Sequence, residues 1–200
     1  TAILKDTPPQ PDGPLVSPGT YQVRLTVDGK SFTQSLTVKM DPRVTTPQAG
    51  LAQIHDVAMR CYDGITKART AQADIRKLRD QLKSLKDKAG SGAVADAISA
   101  LDQKASAIEG AGGGGRFGGG GGRGGGGGAP SLSGVAGELY ALMNLVDDTD
   151  MVPTTQAVAA TSASQRNLAD LLGRWEELKS KDVKALNDQL SKANLPVVTM

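Results

Sequence analysis

The amino-acid sequence predicts an α+β protein in which an N-terminal antiparallel β unit precedes an antiparallel helical bundle. Three observations lead to this fold class. Apolar and polar residues alternate within residues 20–40, as on a half-buried β-strand. After residue 46, apolar residues recur at steps of three and four, which is the spacing of one helix face. A glycine-rich stretch, AGGGGRFGGGGGRGGGGGAPSLSG at residues 111–134, interrupts the helical pattern.

The alternating stretch predicts a β-hairpin. Its first strand carries one apolar set at a single parity: Tyr21, Val23, Leu25 and Val27. Asp28-Gly29 follows, and this dipeptide favours the positive backbone angles of a tight hairpin turn. The second strand repeats the pattern with Phe32, Leu36, Val38 and Met40. A lone hairpin is marginal in water, so we expect residues 1–17, a helix or another chain to cover its apolar face.

The helical pattern predicts helices over residues 47–88, 93–109, 133–147 and 154–180. Thr46 is suited to cap the first helix and Pro47 to its first turn, where a missing N–H costs nothing. The last part of the chain predicts either a short fifth helix or a continuation beyond a kink near Ser180. In the fourth helix we expect these side chains to face inward: Val158, Ala159, Leu168, Leu171, Leu172, Trp175 and Leu178.

These elements predict four regions along the chain. Residues 1–44 form the β unit, 45–110 a helical hairpin, 111–132 a flexible linker, and 133–200 a second helical hairpin that completes the bundle. The linker interpretation is favoured over two functional ones. A nucleic-acid-binding tract uses many arginines and aromatics, but this one has only Arg116, Arg123 and Phe117. A phosphate loop follows a strand and carries a Lys-Ser/Thr pair, and neither feature is present.

Composition excludes several classes of protein. The net charge of +2 is close to balance, so no nucleic-acid partner is expected. The single cysteine excludes an internal disulfide. The sequence contains no run of about 18 apolar residues, so no membrane-spanning helix is predicted. The first residue is Thr1, and we expect the chain to begin after a processing site or inside a longer protein.

No group of residues predicts catalysis, a cofactor or a metal site. The only histidine, His55, has a single acidic neighbour in sequence and is expected at a surface or boundary. Cys61 lies on the apolar stripe and is expected to be buried. The acidic residues 147, 148 and 150 lack the D-x-D-x-D-G pattern of a calcium loop. Trp175 is expected in the core. We therefore predict that the chain is not an enzyme.

Two stretches resemble parts of a known family. SPGTYQVRLTVDGKSFTQSLTVKMDPRV at residues 17–44 resembles the closing hairpin of the immunoglobulin-like or fibronectin-like module in large exported bacterial proteins with sortilin-like propeller repeats, often labelled BNR-repeat or glycosyl-hydrolase-like. DGITKARTAQADIRKLRDQL and the region from residue 152 to 198 resemble the helical tail of those proteins. The resemblance implies an immunoglobulin-like sheet edge, an interaction role and export to the periplasm or beyond. No active-site residue of the family falls on this chain.

The sequence thus predicts a non-catalytic interaction or scaffold module, an accessory subunit of a larger extracytoplasmic or membrane-associated assembly with other protein subunits as partners. A C-terminal fragment of a glycosidase-related protein and a Gly-Arg nucleic-acid binder are the alternatives. The candidate partner contacts are Tyr21, Arg24, Phe32 and Gln34. Strand parity places Tyr21 and Phe32 on the apolar face and Arg24 on the opposite one.

Overall fold

The computed structural model of the chain describes residues 13–110 and 129–200. Residues 1–12 of the predicted β unit and most of the predicted linker lie outside these ranges. The α+β class is confirmed, since a two-stranded antiparallel hairpin precedes a set of helices. In chain order the elements are β1 (Gly19–Val27), β2 (Lys30–Val38), α1 (Gln48–Ala89), α2 (Ala93–Glu109), α3 (Leu132–Asp147), α4 (Thr155–Glu177), a π-helical segment (Leu178–Val183) and α5 (Lys184–Lys192).

The hairpin turns at the predicted dipeptide. Asp28 and Gly29 have φ angles of 49° and 77°, as a two-residue turn with both central residues at positive φ requires. This turn fixes the register, in which Leu25 lies opposite Phe32 and Tyr21 opposite Leu36. The apolar residues of both strands therefore share one face.

Helix α1 is the longest element and forms the spine of the bundle. Its 42 residues correspond to about 63 Å of helix. One stripe of side chains along its length is buried, including Ile54, Cys61, Ile75 and Leu82. The helix ends at Gly90, whose φ of 67° is one that glycine adopts at little cost.

Helices α2 and α3 both run antiparallel to α1 and cover successive parts of it. On α2, Asp102 and Glu109 accept hydrogen bonds from the guanidinium nitrogens of Arg79 and Arg76, each at 2.8 Å. Position 139 of α3 packs at Gly64, about a third of the way along α1. The bundle is therefore built of three mutually adjacent rods, of which α2 and α3, placed end to end, form the second.

The two halves of this second rod, α2 and α3, are joined in sequence by the glycine tract. Gly110 ends α2 with a φ of 92°, and Ser131 caps α3 by accepting a hydrogen bond from the Gly134 backbone N–H. A Cβ atom at Gly110 would overlap the hydroxyls of Ser131 and Ser133. The end of α2 and the start of α3 therefore lie next to each other.

The third rod runs parallel to α1 and is continuous from α4 through the π-helical segment to α5. Lys104 of α2 pairs with Asp182 in that segment at 2.7 Å. The two buried residues of the segment, Leu178 and Val183, are five positions apart. A π-helical turn, with its i→i+5 hydrogen bonds, brings residues at this spacing onto one face. The chain therefore continues beyond Ser180 through a π-helical turn.

One part of the predicted core was wrong. Val158 is 36% exposed and Ala159 is exposed, whereas Ala157, Thr161 and Ser164 face inward. Small side chains occupy this face of α4, and the Thr161 hydroxyl donates to the carbonyl oxygen of residue 157. Because that hydroxyl is satisfied within its own helix, its burial is tolerated. None of the helices in the described ranges is long and apolar enough to cross a membrane.

Candidate functional site

The hairpin stands clear of the bundle. In the described ranges, no Cα atom of β1 or β2 lies within 8 Å of a helix Cα atom. The apolar side chains of the strands are about half exposed: Val23 50%, Leu25 62%, Val27 49%, Phe32 59% and Leu36 51%. The equivalent stripes on the helices are buried to within a few per cent. The hairpin is thus the part of the described chain with an uncovered apolar face.

The two faces of the hairpin differ in chemistry, since one is mostly apolar and the other is polar throughout. The register places one set on the apolar face: Tyr21, Val23, Leu25, Val27, Lys30, Phe32, Gln34, Leu36 and Val38, of which only Lys30 and Gln34 are polar at their ends and lack a ring. The opposite face carries only polar side chains: Thr20, Gln22, Arg24, Thr26, Ser31, Thr33, Ser35 and Thr37. A face of hydroxyl, amide and guanidinium groups is suited to water, whereas the other is suited to a protein interior.

The structure brings three of the four predicted contact residues onto one face. Phe32 lies opposite Leu25, and Gln34 lies opposite Val23. Tyr21 is half-buried because its hydroxyl donates to the carbonyl oxygen of Ser17. Arg24 lies opposite Thr33 on the polar face, as the strand parity predicted.

The base of the hairpin is held on the bundle by a clamp on the backbone of Leu15. His55 Nδ1 of α1 donates to the Leu15 carbonyl oxygen at 3.0 Å. The Leu15 backbone N–H faces the carboxylate of Asp147 at the end of α3. A cavity of about 100 Å³ lies beneath, between this segment, the end of β2 and the first turns of α1. His55 is therefore a boundary residue that positions the chain entering β1.

Burial raises the pKa of the Asp147 carboxyl above its usual value. The Leu15 backbone N–H and the nearby His55 act in the opposite direction, because both favour the ionised carboxylate. Sequence reasoning missed this clamp. His55 and Asp147 are 92 positions apart, and neither their spacing nor their neighbours indicate that they converge on one backbone segment.

The other singled-out residues are structural. Cys61 is fully buried, with its Sγ 3.8 Å from Thr161 Oγ1, and burial raises the pKa of its thiol. A thiol that is inaccessible and protonated is a poor nucleophile. Trp175 is 2% exposed in the core, as predicted. Within the described ranges no group of three or more acidic, histidine or cysteine side chains is arranged to hold a metal ion.

Comparison with protein families, with curated proteins and with solved structures finds no match for this chain.

Proposed function

We propose that this chain is a non-catalytic protein-interaction module that docks onto a β-rich protein through the apolar face of its hairpin. The observation that carries the proposal is the half-exposed apolar face of a hairpin whose strand Cα atoms all lie more than 8 Å from the helix Cα atoms of the described chain. Fully burying an exposed large apolar side chain contributes about 1.5–3 kcal/mol, and a side chain that is already half buried would gain roughly half of that. Several such side chains lie together on this face and would contribute jointly to docking.

The chemistry of the hairpin favours a sheet as its partner. Both outer edges of the hairpin carry backbone donors and acceptors that no strand of the described chain pairs. A partner sheet can add a strand at such an edge and pack a second layer on the apolar face. The Ser/Thr-rich polar face then remains in water. The resemblance of this segment to the closing hairpin of an immunoglobulin-like module supports a partner of that class, and it supports placing the interaction outside the cytoplasm.

A second copy of the hairpin is too small to be that partner by itself. Each strand has nine residues, so the face measures on the order of 30 Å by 10 Å at about 3.3 Å per residue. Two such faces would bury about 600 Å², whereas stable interfaces bury at least about 1,200 Å². The partner must therefore also contact the edges or the clamp region, which a larger β domain can do.

Site-specific photo-cross-linking tests the proposal. A photoreactive phenylalanine analogue is placed at Phe32 on the apolar face or, as a matched control, at Thr33 on the polar face. Cross-linking is then carried out in the source cells. We expect an adduct with one protein from position 32 and none from position 33. Leu25→Asp, directly opposite, should remove the adduct, whereas Thr26→Asp and Arg24→Glu on the polar face should retain it.

Three results would contradict the proposal. Equal adducts from positions 32 and 33 would show that the apolar face is not the contact. An adduct only with residues 1–12 of the same chain would show that the face is covered internally. An adduct that survives Leu25→Asp in a folded protein would move the contact to the helices.

A further inference from the structure

The far end of the bundle from the hairpin holds an extended segment by its backbone. Residues 195–199 lie between α1 and α5. Asn187 of α5 donates from Nδ2 to the Val198 carbonyl oxygen at 3.0 Å, and its Oδ1 accepts from the Val198 backbone N–H at 2.8 Å. Gln81 of α1 makes the same pair of bonds with the next residue, Thr199, at 2.8 Å and 3.0 Å.

These two carboxamides replace a neighbouring β-strand. A strand satisfies the N–H and C=O of a residue together, and here one side-chain amide does so for each of two successive residues. Recognition of this kind depends little on the bound sequence, because these four bonds use main-chain groups. It requires an extended peptide, since a helical segment uses its N–H and C=O groups internally. The Thr199 hydroxyl adds a side-chain bond to Gln81 Oε1 at 3.4 Å.

Val198 is the most deeply buried side chain of the segment, and Leu195 is partly buried against the same core. Val198 is 4% exposed and joins the bundle core, whereas its neighbour Val197 is 46% exposed. Met200, beyond the second amide pair, is 61% exposed. A β-branched residue suits this position because its restricted χ1 is compatible with extended backbone.

The groove is larger than the part of the segment that fills it. A cavity of about 210 Å³ adjoins Thr199 and Met200, and it is lined by Asp74, Lys77 and Lys179 together with Gln81. Unfilled volume next to a backbone-binding pair leaves room for a peptide with a longer bound region than residues 198–199.

We propose that the groove between α1 and α5 is a binding site for extended peptides with a valine anchor, and that the chain's own residues 195–199 are its exchangeable occupant. Gln81 and Asn187 bind the peptide backbone, and the pocket under Val198 selects the anchor. Position 81 lies 26 residues beyond the hairpin clamp at His55, about 39 Å along the helix. The two sites are therefore separate, and this one does not depend on the proposed role of the hairpin.

Peptide binding to the full-length chain tests this proposal. The probe is a fluorescein-labelled peptide with the sequence of residues 194–200, NLPVVTM, followed by fluorescence anisotropy. Val198→Asp displaces the internal occupant, and Val197→Asp is the matched control at the exposed neighbouring position. A tethered segment has an effective concentration of about 1 mM. We therefore expect the Val198→Asp chain to bind the peptide at least tenfold more tightly than the wild type and the Val197→Asp chain do.

Two further changes test whether Asn187 and the anchor valine are responsible for peptide binding. Adding Asn187→Ala to the Val198→Asp chain should weaken binding at least tenfold, and so should a probe in which aspartate replaces the anchor valine. A folded Val198→Asp chain, as judged by circular dichroism, that does not bind the probe would overturn the proposal. A peptide affinity that is unchanged by Asn187→Ala would also overturn the proposal.

Hydrogen exchange of the wild-type chain decides the question if Val198→Asp does not fold. An exchangeable occupant must leave the groove while the bundle stays folded. We expect the amides of Val198 and Thr199 to exchange at least tenfold faster than those of buried α1 residues such as Ile75. Exchange of these two amides at the same rate as the α1 core would show a fixed structural contact and overturn the proposal.

Discussion

The hairpin and the bundle both carry regular apolar stripes, but only the stripes of the bundle are buried. In the bundle each stripe meets another, so Leu139, Leu78 and Ile75 are fully buried. In the hairpin the apolar set is equally regular, yet Leu25 and Phe32 remain 62% and 59% exposed. The docking role proposed for the hairpin rests on this regular stripe, which has no counterpart in the described chain. The predictions below test how independent the two regions are.

The largest expected effect is the difference in free energy of unfolding between a leucine-to-alanine change in the core and the same change on the hairpin face. Leu139→Ala removes a fully buried side chain between α1 and α3. It should lower the free energy of unfolding by about 2–5 kcal/mol, because it loses burial and leaves a cavity. Leu25→Ala removes the same atoms from an exposed position and should change the free energy by less than about 0.5 kcal/mol.

Urea unfolding followed by circular dichroism at 222 nm measures both variants. Similar losses for Leu25→Ala and Leu139→Ala would show that the hairpin face is packed in the isolated chain. In that case the distinction between the two regions would fail.

Two glycines in the helices give the next effect, with opposite signs. A Cβ atom at Gly64 would lie 2.6 Å from Leu139 Cδ1 and 2.8 Å from Gln165 Nε2. Gly64→Ala should therefore overpack the α1–α3–α4 contact and cost about 1–3 kcal/mol. Gly173 on α4 has open space around it, so Gly173→Ala should stabilise the chain by up to about 1 kcal/mol through helix propensity.

Thermal unfolding of the two alanine variants checks this pair. A gain in stability for Gly64→Ala would show that α1 and α3 do not approach as closely as the geometry requires. Gly173→Ala then serves as the control for the intrinsic helix preference of alanine.

Shortening the glycine tract should have a small effect. The ends of α2 and α3 adjoin at Gly110 and Ser131, so a short Gly-Ser loop can replace residues 112–128 without moving either helix. Closing a shorter loop costs slightly less entropy. We expect the melting temperature to change by less than about 5 °C, which is the scale of roughly 1–2 kcal/mol in a domain of this size.

A larger fall in melting temperature would show that the tract packs on the bundle. Binding of the shortened chain to single-stranded nucleic acid, measured beside the wild type, also tests the Gly-Arg alternative. Strong wild-type binding that disappears with the tract would support that alternative and contradict the connector interpretation.

The smallest effect concerns the clamp at the base of the hairpin. Burial raises the pKa of Asp147 in the folded chain, so the folded state holds this proton to a higher pH than the unfolded state does. Its contribution is therefore most favourable below the unfolded pKa and is lost as pH rises through the folded pKa. Asp147→Asn should flatten the dependence of melting temperature on pH over this acidic window. An unchanged slope would show that Asp147 is solvated in both states.

Local signals accounted for most of the fold. The Asp28-Gly29 turn, the break at Gly90 and the spacing of the stripes predicted the elements to within a few residues. The π-helical turn was visible in the five-residue step from Leu178 to Val183, but a kink near Ser180 explained that step equally well. The end-to-end placement of α2 and α3 in one rod could not be predicted, since helix stripes do not specify which neighbour they meet.

The polar contacts at the two ends of the bundle also could not be predicted from the sequence. Gln81 meets Thr199 across 118 positions, and His55 meets Leu15 across 40. Polar side chains that bind backbone have no periodicity and no required partner type, so they leave no pattern. By contrast, strand parity alone assigned Tyr21, Phe32 and Arg24 to their faces correctly, because alternation is a property of a single strand.

Native-state hydrogen exchange of the isolated full-length chain tests the central claim most directly. If the hairpin is a docking element that lacks its partner, its strand-pairing amides in residues 19–38 should exchange through local opening, well before the buried amides of α1. Adding the partner identified by cross-linking at position 32 should then slow the hairpin amides and leave those of α1 unchanged. Hairpin amides that already exchange as slowly as the α1 core in the isolated chain would contradict the account, because the hairpin would then be an integral part of the bundle's folded unit.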